Sequence, residues 1–517
     1  MAAPTAYDEV VYPGWPFPQA QPDRLATLAK LFGMAPADPA GARVLELGCG
    51  DGGNLLAVAS AWPGARVVGI DLAPGAIARG RSAASELGLA NLDLRCGDIA
   101  KLPDDLGEFD YVIAHGVYSW VPEDVRGALL DACRRFLAPQ GVAFVSYNVY
   151  PGGHVRQMLR EMLLMHVEEI EDPAGRCAGA REFLAWVADA VPEGAGNTLA
   201  LEARRLAKRP DAGLFHDDLS GIFHLCYFRD FCAEADARGL QFLAEAEFFE
   251  MQDLDLSPSA LAKMQEFAPD LVAREQYRDF LKERRFRQTL LCRSGVALRS
   301  ELDGGAAWEL SVSCEAKPDG TEVDPLSREE QPYRGSGGTF STSEPLLKVA
   351  LRLLEREWPR ALPMEELLQA AAAGCGIAAD DRQRALLGDF ALGCYAADRV
   401  QLHWRQPPFA RWPGPRPLAS SLARLQVRAS KSVTSLVGSN VLLDDPLARR
   451  VLSLLDGTRG RAELLRELRA DKATLALLGA AAAGIGEEAA LDRCLDALGR
   501  CALLRAEAAT PSSPAGR

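Results

Sequence analysis

A glycine-rich stretch, residues 48–54, directly follows a short apolar run, residues 44–47. Within it, Gly48, Gly50 and Gly53 have the spacing G-x-G-x-x-G. Glycine lets a backbone approach a ligand closely, and a helix that begins just after such a turn offers free N–H groups. The segment therefore predicts a buried strand, a tight turn and a helix that together bind a nucleotide-like ligand.

Apolar runs and helical periods alternate along residues 43–150, and five of the runs have the pattern of strands in a parallel sheet. This alternation predicts an α/β fold with a doubly wound, Rossmann-like sheet. Two later apolar runs, residues 240–248 and 286–293, are predicted to close the same sheet and bring it to seven strands. Residues 155–225 would then form a helical cap, although periodicity alone leaves a separate α+β domain open.

Asp71 ends the second predicted strand, 21 residues after Gly50, where a carboxylate can bind the two hydroxyls of a ribose. This spacing suits NAD and S-adenosylmethionine equally. Glu46 favours the second cofactor, because a carboxylate there would repel a pyrophosphate but attract the ammonium group of an amino acid. Asp98, together with the backbone of Ile99, follows the third strand and suits an adenine amino group.

These motifs resemble the class I S-adenosylmethionine-dependent methyltransferases over residues 40–150. The resemblance implies the Rossmann-like fold of that class and S-adenosyl-L-methionine as the cofactor. It also implies a set of cofactor-binding residues at the carboxyl ends of the first four strands: Glu46, Gly48, Cys49, Gly50, Asn54, Asp71, Leu72, Asp98, Ile99 and His115.

A second resemblance extends over most of the chain. The segments SYNVYPGGH (residues 146–154), YFRDF (residues 227–231) and RRFRQTLLCR (residues 284–293) resemble the bacterial methyltransferases that carry a methyltransferase regulatory domain. That group includes rickettsial protein lysine methyltransferases with a winged-helix-like C-terminal region, so the resemblance implies a protein substrate. The chain departs from this pattern at Gln21, where histidine is frequent, and at Gly153, where tryptophan is frequent.

Four residues are candidates for contact with the methyl acceptor: Tyr118, His115, Asn148 and Tyr150. Tyr118 follows the fourth strand, where its phenol could orient an amine, or it packs as a core aromatic. His115 could act as a base or contact the cofactor. Asn148 and Tyr150 follow the fifth strand and either face the acceptor or support the turn at residues 151–153.

The N-terminal segment is rich in proline and aromatic residues, with Tyr7, Tyr12, Trp15 and Phe17. These aromatic residues do not follow the period of a core helix or strand. Two interpretations stay open: a lid that covers the cofactor and excludes water, or a strap packed on the sheet edge.

We expect four domains: a methyltransferase core (residues 1–154), a regulatory and cap segment (155–300), and two winged-helix-like α+β units (301–405 and 418–505). Residues 315–344 are rich in glycine, proline and charge. That composition predicts a mobile loop within the first winged-helix-like unit.

The chain of 517 residues has a net charge of −14, which disfavours a nucleic-acid or membrane partner because both require a positive field. Its twelve cysteines form no C-x-x-C pair, so we expect reduced thiols and a cytoplasmic location. His216, Asp217 and Asp218 lack a second pair at ligand spacing, so we expect no metal. The arginines of residues 284–287 are expected on a solvated strand face.

Together these features predict a methyltransferase that acts on an amine, most directly a lysine side chain of a protein. Small-molecule O- or N-methylation and a non-catalytic, cofactor-responsive interaction protein are the alternatives. The latter would use residues 416–470, which hold ten basic and five acidic residues, and there a protein contact is favoured over DNA. A homodimer is left open.

Overall fold

The computed structural model describes residues 9–190, 197–254 and 256–506. Within these residues eight strands form the central sheet: β1 (Arg43–Leu47), β2 (Arg66–Asp71), β3 (Leu92–Cys96), β4 (Phe109–Ala114), β5 (Leu137–Val149), β6 (Leu225–Cys226), β7 (Leu240–Glu245) and β8 (Phe286–Arg293). They lie in the order β3-β2-β1-β4-β5-β8-β7, and the two-residue β6 pairs with the end of β5.

Strands β1 to β5 pair in parallel, and Val44 of β1 lies opposite both Val67 of β2 and Tyr111 of β4. The inner strands β1, β2, β4 and β5 are mostly apolar because crossover helices cover both faces of the sheet, whereas β3 lies at its edge. The connecting helices are Gly53–Ala61, Pro74–Leu87 and Glu123–Phe136. The predicted doubly wound, Rossmann-like sheet is confirmed.

Strands β7 and β8 complete the sheet in antiparallel orientation. Strand β8 pairs with β5, which places Leu290 opposite Phe144, and β7 pairs with β8, which places Phe242 opposite Leu291. The prediction that both runs close the same sheet is confirmed, and the alternative of a separate α+β domain is wrong. Beyond the seven predicted strands, only the short β6 is added to this sheet in the described part of the chain.

A buried ion network joins β7 and β8 to the helix Leu271–Leu281. Arg287 is 1% exposed, and its guanidinium donates to Glu245 Oε1 at 2.7 Å, to Glu275 Oε2 at 3.0 Å and to Asp279 Oδ1 at 2.8 Å. A buried cation requires such partners, because each charge loses its hydration when the network forms.

The expectation of a solvated arginine face is wrong for Arg284 and Arg287, which are 6% and 1% exposed. Arg284 forms an ion pair with Asp279 at 3.2 Å on the same side as Arg287. The helix Leu271–Leu281, which carries Asp279, covers both arginine side chains. No local sequence pattern around residues 284–287 indicates that this helix packs there. Arg285 is more exposed and pairs with Glu202 at 2.7 Å.

A helical cap follows β5, as predicted for residues 155–225. Its longer helices are His154–His166, Pro173–Ala190 and Thr198–Ala207. Leu159, Leu184 and Leu206, each 0% exposed, belong to an apolar core that these helices share. Three further helices accompany the closing strands: Phe228–Asp236, Pro258–Phe267 and Leu271–Leu281.

The next segment shares one continuous apolar core with one face of the central sheet. Its elements are β9 (Ser311–Ser313), β10 (Lys317–Pro318), β11 (Gln331–Gly335), β12 (Gly338–Thr342), helix Pro345–Glu357, β13 (Leu362–Pro363), helices Met364–Cys375 and Asp381–Ala396, and β14 (Gln401–His403). The prediction of a mobile loop at residues 315–344 is wrong, since β10, β11 and β12 form an antiparallel sheet. Tyr333 is 2% exposed and stacks on Phe340 with ring centroids 5.6 Å apart, which holds this sheet on the core.

The final unit packs back on the central domain. Its elements are helix Ser421–Gln426, β15 (Ser432–Thr434), β16 (Asn440–Leu442) and helices Pro446–Leu454, Arg461–Ala470, Lys472–Ala482 and Glu487–Arg500. Leu422 contacts a cluster with Leu56 and Ala57, and Arg505 Nη2 donates to the carbonyl of Ser60 at 2.5 Å. Our division into four domains stays a prediction. Among the described helices, none alone has the length and apolar composition of a membrane span.

Replacing the buried arginine should destabilise the chain. We expect Arg287→Met to lower the free energy of unfolding by about 3–5 kcal/mol, because Glu245 would stay buried without its cation and Glu275 and Asp279 would each lose one of theirs. Urea unfolding of the full chain, followed by circular dichroism, measures the difference. Arg229→Met is the control, because Arg229 is 69% exposed in its pair with Asp230 and should change stability by less than about 0.5 kcal/mol. Equal effects of the two substitutions would contradict this assignment.

Candidate active site

The glycine-rich turn lies at the carboxyl end of β1. Gly48 and Gly50 have φ of +74° and +57°, in the left-handed region that favours glycine. A Cβ on Gly48 would lie only 2.3 Å from Val117 Cγ2. The turn therefore packs so closely against the loop after β4 that a side chain at position 48 would clash. The neighbouring Cys49 is 7% exposed, and burial raises the pKa of its thiol. Cys49 is therefore a protonated, packed thiol beside the turn.

Asp71 ends β2 next to this turn. Its Oδ2 accepts the Gly50 N–H at 2.7 Å and its Oδ1 accepts the Ala73 N–H at 2.8 Å. Two backbone donors thus fix the carboxylate at the edge of the sheet. Leu72 follows at the same edge and is 55% exposed, which is high for leucine.

Asp98 lies in the loop after β3. The Gly97 N–H donates to the Asp71 carbonyl at 2.9 Å, which holds this loop against the end of β2. The Asp98 carboxylate accepts the Ala100 N–H at 2.9 Å, and Ile99 is partly buried in the same turn. The structure therefore brings Asp98 and Ile99 to the edge that carries Asp71.

Glu46 lies below the turn and is 3% exposed. Asn54 Nδ2 donates to Glu46 Oε2 at 3.2 Å, while Asn54 Oδ1 accepts from Phe17 N at 3.1 Å and from Gln21 Nε2 at 2.8 Å. Burial raises the pKa of the Glu46 carboxyl to about 8. Gln21, a departure from the family pattern, thus contacts the predicted cofactor residue Asn54.

The N-terminal strap, residues 10–21, passes over the glycine-rich turn. A Cβ on Gly53 would lie 2.4 Å from the carbonyl carbon of Gly14, so the third glycine of the motif makes room for the strap. The Val10 carbonyl accepts from His216 Nε2 of the cap at 2.7 Å. The strap therefore contacts the turn and the cap, and the lid interpretation stays a prediction. Tyr7 lies outside the described residues.

His115 follows β4 and packs under the strap. Its ring centroid is 3.7 Å from that of Phe17 and 6.4 Å from that of Phe286. Its Nδ1 is 3.1 Å from Ser146 Oγ. Burial lowers the pKa of His115 to about 4, so the ring is neutral at physiological pH.

Tyr118 lies in an apolar core cluster. It is 1% exposed, and its hydroxyl donates to Glu234 Oε2 at 3.0 Å. Its ring packs 5.7 Å from Tyr147 and 5.3 Å from Phe231. Burial raises the pKa of its phenol. The placement fits the interpretation of Tyr118 as a core aromatic, and we assign it no contact with the acceptor.

Asn148 and Tyr150 lie together at the end of β5. The Asn148 N–H donates to Ser119 Oγ at 2.8 Å, and its Oδ1 accepts from Arg156 Nη1 at 3.2 Å. The Tyr150 ring lies 5.3 Å from that of Tyr227 and is partly exposed. In the strand order these two residues lie on the other side of β1 and β4 from the candidate cofactor residues of β2 and β3.

A polar network that the sequence did not indicate extends from Asn148 into the cap. Arg156 Nε donates to Asp218 Oδ1 at 2.9 Å, and Arg209 Nη1 donates to Asp218 Oδ2 at 2.6 Å. Asp217 also pairs with Arg209. Asp217 and Asp218, which the sequence analysis considered as metal ligands, therefore form ion pairs with arginines. Asp218 lies 62 residues from Arg156 in the chain, so no local sequence pattern indicates this contact.

Three family models match the chain in order. A methyltransferase domain matches residues 44–141, a "Predicted methyltransferase regulatory domain" matches residues 210–293, and a "PKMT, C-terminal winged helix domain" matches residues 415–507. The first covers the strands that carry the predicted cofactor residues. The second includes β7 and β8, which complete the same sheet.

Similar proteins come from Rickettsia. The chain is 34% identical over 354 residues to Uncharacterized protein RP789 of Rickettsia prowazekii, which is 67% of this chain and 64% of that protein. It is 33% identical over 241 residues to Uncharacterized protein RP028 of the same organism, which is 46% of this chain and 96% of that protein. The chain thus spans less than two thirds of the length of RP789.

A solved structure has the same fold over nearly the whole chain. The structure of PKMT2 from Rickettsia typhi matches with a TM-score of 0.84 and 25% identity, and covers 95% of this chain and 99% of that chain. Both predicted resemblances are confirmed. The chain belongs to the S-adenosylmethionine-dependent methyltransferases that carry a methyltransferase regulatory domain and a C-terminal winged helix domain.

Proposed function

We propose that this chain transfers a methyl group from S-adenosylmethionine to the ε-amine of a lysine side chain in a protein substrate. The observation that carries the proposal is the likeness to PKMT2 along 95% of the chain, together with the match of the PKMT winged helix domain. A second structure of PKMT2, at 24% identity, is a complex with AdoHcy, the demethylated form of this cofactor.

The residues at the ends of β1, β2 and β3 have the chemistry to hold the cofactor. A carboxylate accepts more than two hydrogen bonds, so Asp71 can bind ribose hydroxyls while the Gly50 and Ala73 amides hold it in place. Asp98 and the backbone at Ile99 bind the adenine at the neighbouring strand end. The buried carboxyl of Glu46 suits the cofactor's ammonium group, directly or through water.

The cofactor's sulfonium supplies an already activated methyl group. The protein must therefore place the acceptor and exclude water. The strap supports this role, because Gly14 and Phe17 cover the turn and the His115 ring. We assign Asn148 and Tyr150 to the acceptor side.

The acceptor lysine must lose its proton before it can attack. The Arg156 guanidinium lies beside Asn148 with its side chain 13% exposed. Because the Arg156 charge is already balanced by Asp218, loss of the lysine proton at this end of β5 depends on desolvation of the amine in the closed site.

The final unit supports a protein partner better than a nucleic acid. Free guanidinium groups would be needed to neutralise phosphates. Six of the ten basic residues at 416–470 instead form ion pairs with acidic residues: Arg428, Lys431, Arg459, Arg461, Arg466 and Arg469.

Removing the ribose carboxylate should weaken cofactor binding. We expect Asp71→Ala to lower the affinity for AdoHcy by about 1–3 kcal/mol, or roughly 5- to 150-fold, because hydrogen bonds to a charged group are lost. Titration calorimetry measures this change. Asp93→Ala is the control, because Asp93 lies on β3 and pairs with Arg95 at the surface. Measurable NAD binding by the wild-type chain would contradict the cofactor assignment.

Cofactor binding should release a proton from Glu46. With its pKa near 8, this carboxyl keeps its proton at pH 7 in the free protein, and an adjacent ammonium group favours its ionised form. Calorimetry in buffers of different ionisation enthalpy should detect release approaching about one proton, with affinity rising as the pH rises from about 6 to 8. Glu46→Gln should abolish the release. An unchanged release in that variant would assign the proton to another group.

Incubation with radiolabelled S-adenosylmethionine and a bacterial lysate tests the acceptor class. We expect label in the protein fraction, on methylated lysines after acid hydrolysis. The Asp71→Ala chain, which should bind the cofactor weakly, is the matched control. Label confined to small molecules would reject the protein substrate and leave small-molecule methylation as the activity.

A further inference from the structure

Ser146 contacts two groups at the end of β4. It lies on β5 and is 0% exposed. Its Oγ is 2.8 Å from the backbone nitrogen of Gly116 and 3.1 Å from His115 Nδ1. Gly116 has φ of +66°, the left-handed conformation that lets the chain turn sharply after His115.

The direction of these two hydrogen bonds follows from the available protons. A backbone N–H can only donate, so Ser146 Oγ accepts from Gly116. The hydroxyl has one proton of its own, and among the described residues His115 Nδ1 is its only recorded acceptor. If Nδ1 carried a proton instead, a buried hydroxyl would keep a donor without a partner, which is unfavourable.

We propose that Ser146 is a positioning residue that holds His115 as the neutral tautomer protonated on Nε2, so that His115 donates a hydrogen bond to the carboxylate of the cofactor's amino-acid part. The inference rests on the proposed function for the identity of the ligand. It deepens that function, because it gives His115 the role of a donor and excludes the role of a base.

The surroundings of the ring support a neutral imidazole. His115 packs against Phe17, Phe144 and Phe286, with ring centroids 3.7, 5.8 and 6.4 Å away. Burial among these aromatic rings disfavours the imidazolium. Among the described residues, Nε2 has no recorded hydrogen-bond partner, so its proton is available to a ligand.

The order of the strands indicates which part of the cofactor His115 meets. The sheet order β3-β2-β1-β4 places Asp98, Asp71 and the turn at Gly48 in succession along one edge, with His115 next. If Asp98 holds the adenine and Asp71 the ribose, the amino-acid part lies beyond the ribose, towards β4. Its carboxylate is the acceptor there that matches an imidazole N–H.

A spectroscopic experiment tests the tautomer without any ligand. Long-range ¹H–¹⁵N correlation of the full chain, labelled on its six histidines, should show the His115 ring protonated on Nε2. His115→Gln identifies its signals by their loss. Ser146→Ala should shift the ring towards a mixture of tautomers, and Ser146→Thr should restore the single form. Ser119→Ala is the control, because Ser119 is also buried and its Oγ contacts the Asn148 amide.

AdoHcy titrations then test the donor role. We expect His115→Ala to weaken binding about five- to tenfold, the loss of one hydrogen bond. Ser146→Ala should weaken binding less, in proportion to the fraction of His115 that no longer carries the Nε2 proton. His115→Gln should bind within about threefold of wild type, because glutamine keeps an N–H donor. The Ser146→Ala/His115→Ala chain should bind no more weakly than His115→Ala alone, since coupled residues are not additive. Thermal unfolding of each variant checks that it folds.

The outcomes separate the two proposals. An Nδ1–H tautomer or an imidazolium in the wild-type chain overturns the assignment of Ser146. A His115→Gln chain that binds as weakly as His115→Ala overturns the donor role. Failure of the wild-type chain to bind AdoHcy at all refutes the proposed function, while the tautomer experiment still decides what Ser146 does.

Discussion

One buried guanidinium, that of Arg287, holds the closing part of the sheet. It joins β8 to Glu245 at the end of β7 and to Glu275 and Asp279 on a covering helix. Strand β8 pairs in turn with β5, and β5 ends beside Asn148, which we propose for the acceptor side. The regulatory segment is therefore part of the same sheet as the cofactor site. Removing the Arg287 guanidinium would leave the buried Glu245 carboxylate without a cation and take one cation from Glu275 and Asp279, so the network favours this arrangement.

The N-terminal strap contacts the glycine-rich turn, the cap and the final unit. Asn54, the first polar residue of the helix after the glycine-rich turn, binds the strap through Phe17 and Gln21. Asn440 of the final unit donates to the Pro16 carbonyl at 3.4 Å. The turn, the strap and the C-terminal unit thus contact one another in succession. A shift of the strap would therefore change its contacts with both the glycine-rich turn and the final unit.

Prediction from sequence succeeded where short-range patterns carry the structure. The strand predicted at residues 286–293 has those bounds in the structure. Its run of β-branched and apolar residues at 289–292 accounts for this agreement. Residues 315–344 were wrongly expected to be mobile, because the packing of Tyr333 on Phe340 depends on a core formed by distant helices.

The sequence by itself determined the class of fold and the edge of the sheet that carries the candidate cofactor residues. Parallel strands, glycines and a carboxylate at fixed spacing are local features with a general physical meaning. Only the tertiary structure decided that Tyr118 is a core residue, that Arg287 is buried, and that Ser146 contacts His115. Each of these depends on residues at least 31 positions apart in the chain. Their burial and proton placement follow from which elements pack together, and no local pattern records that.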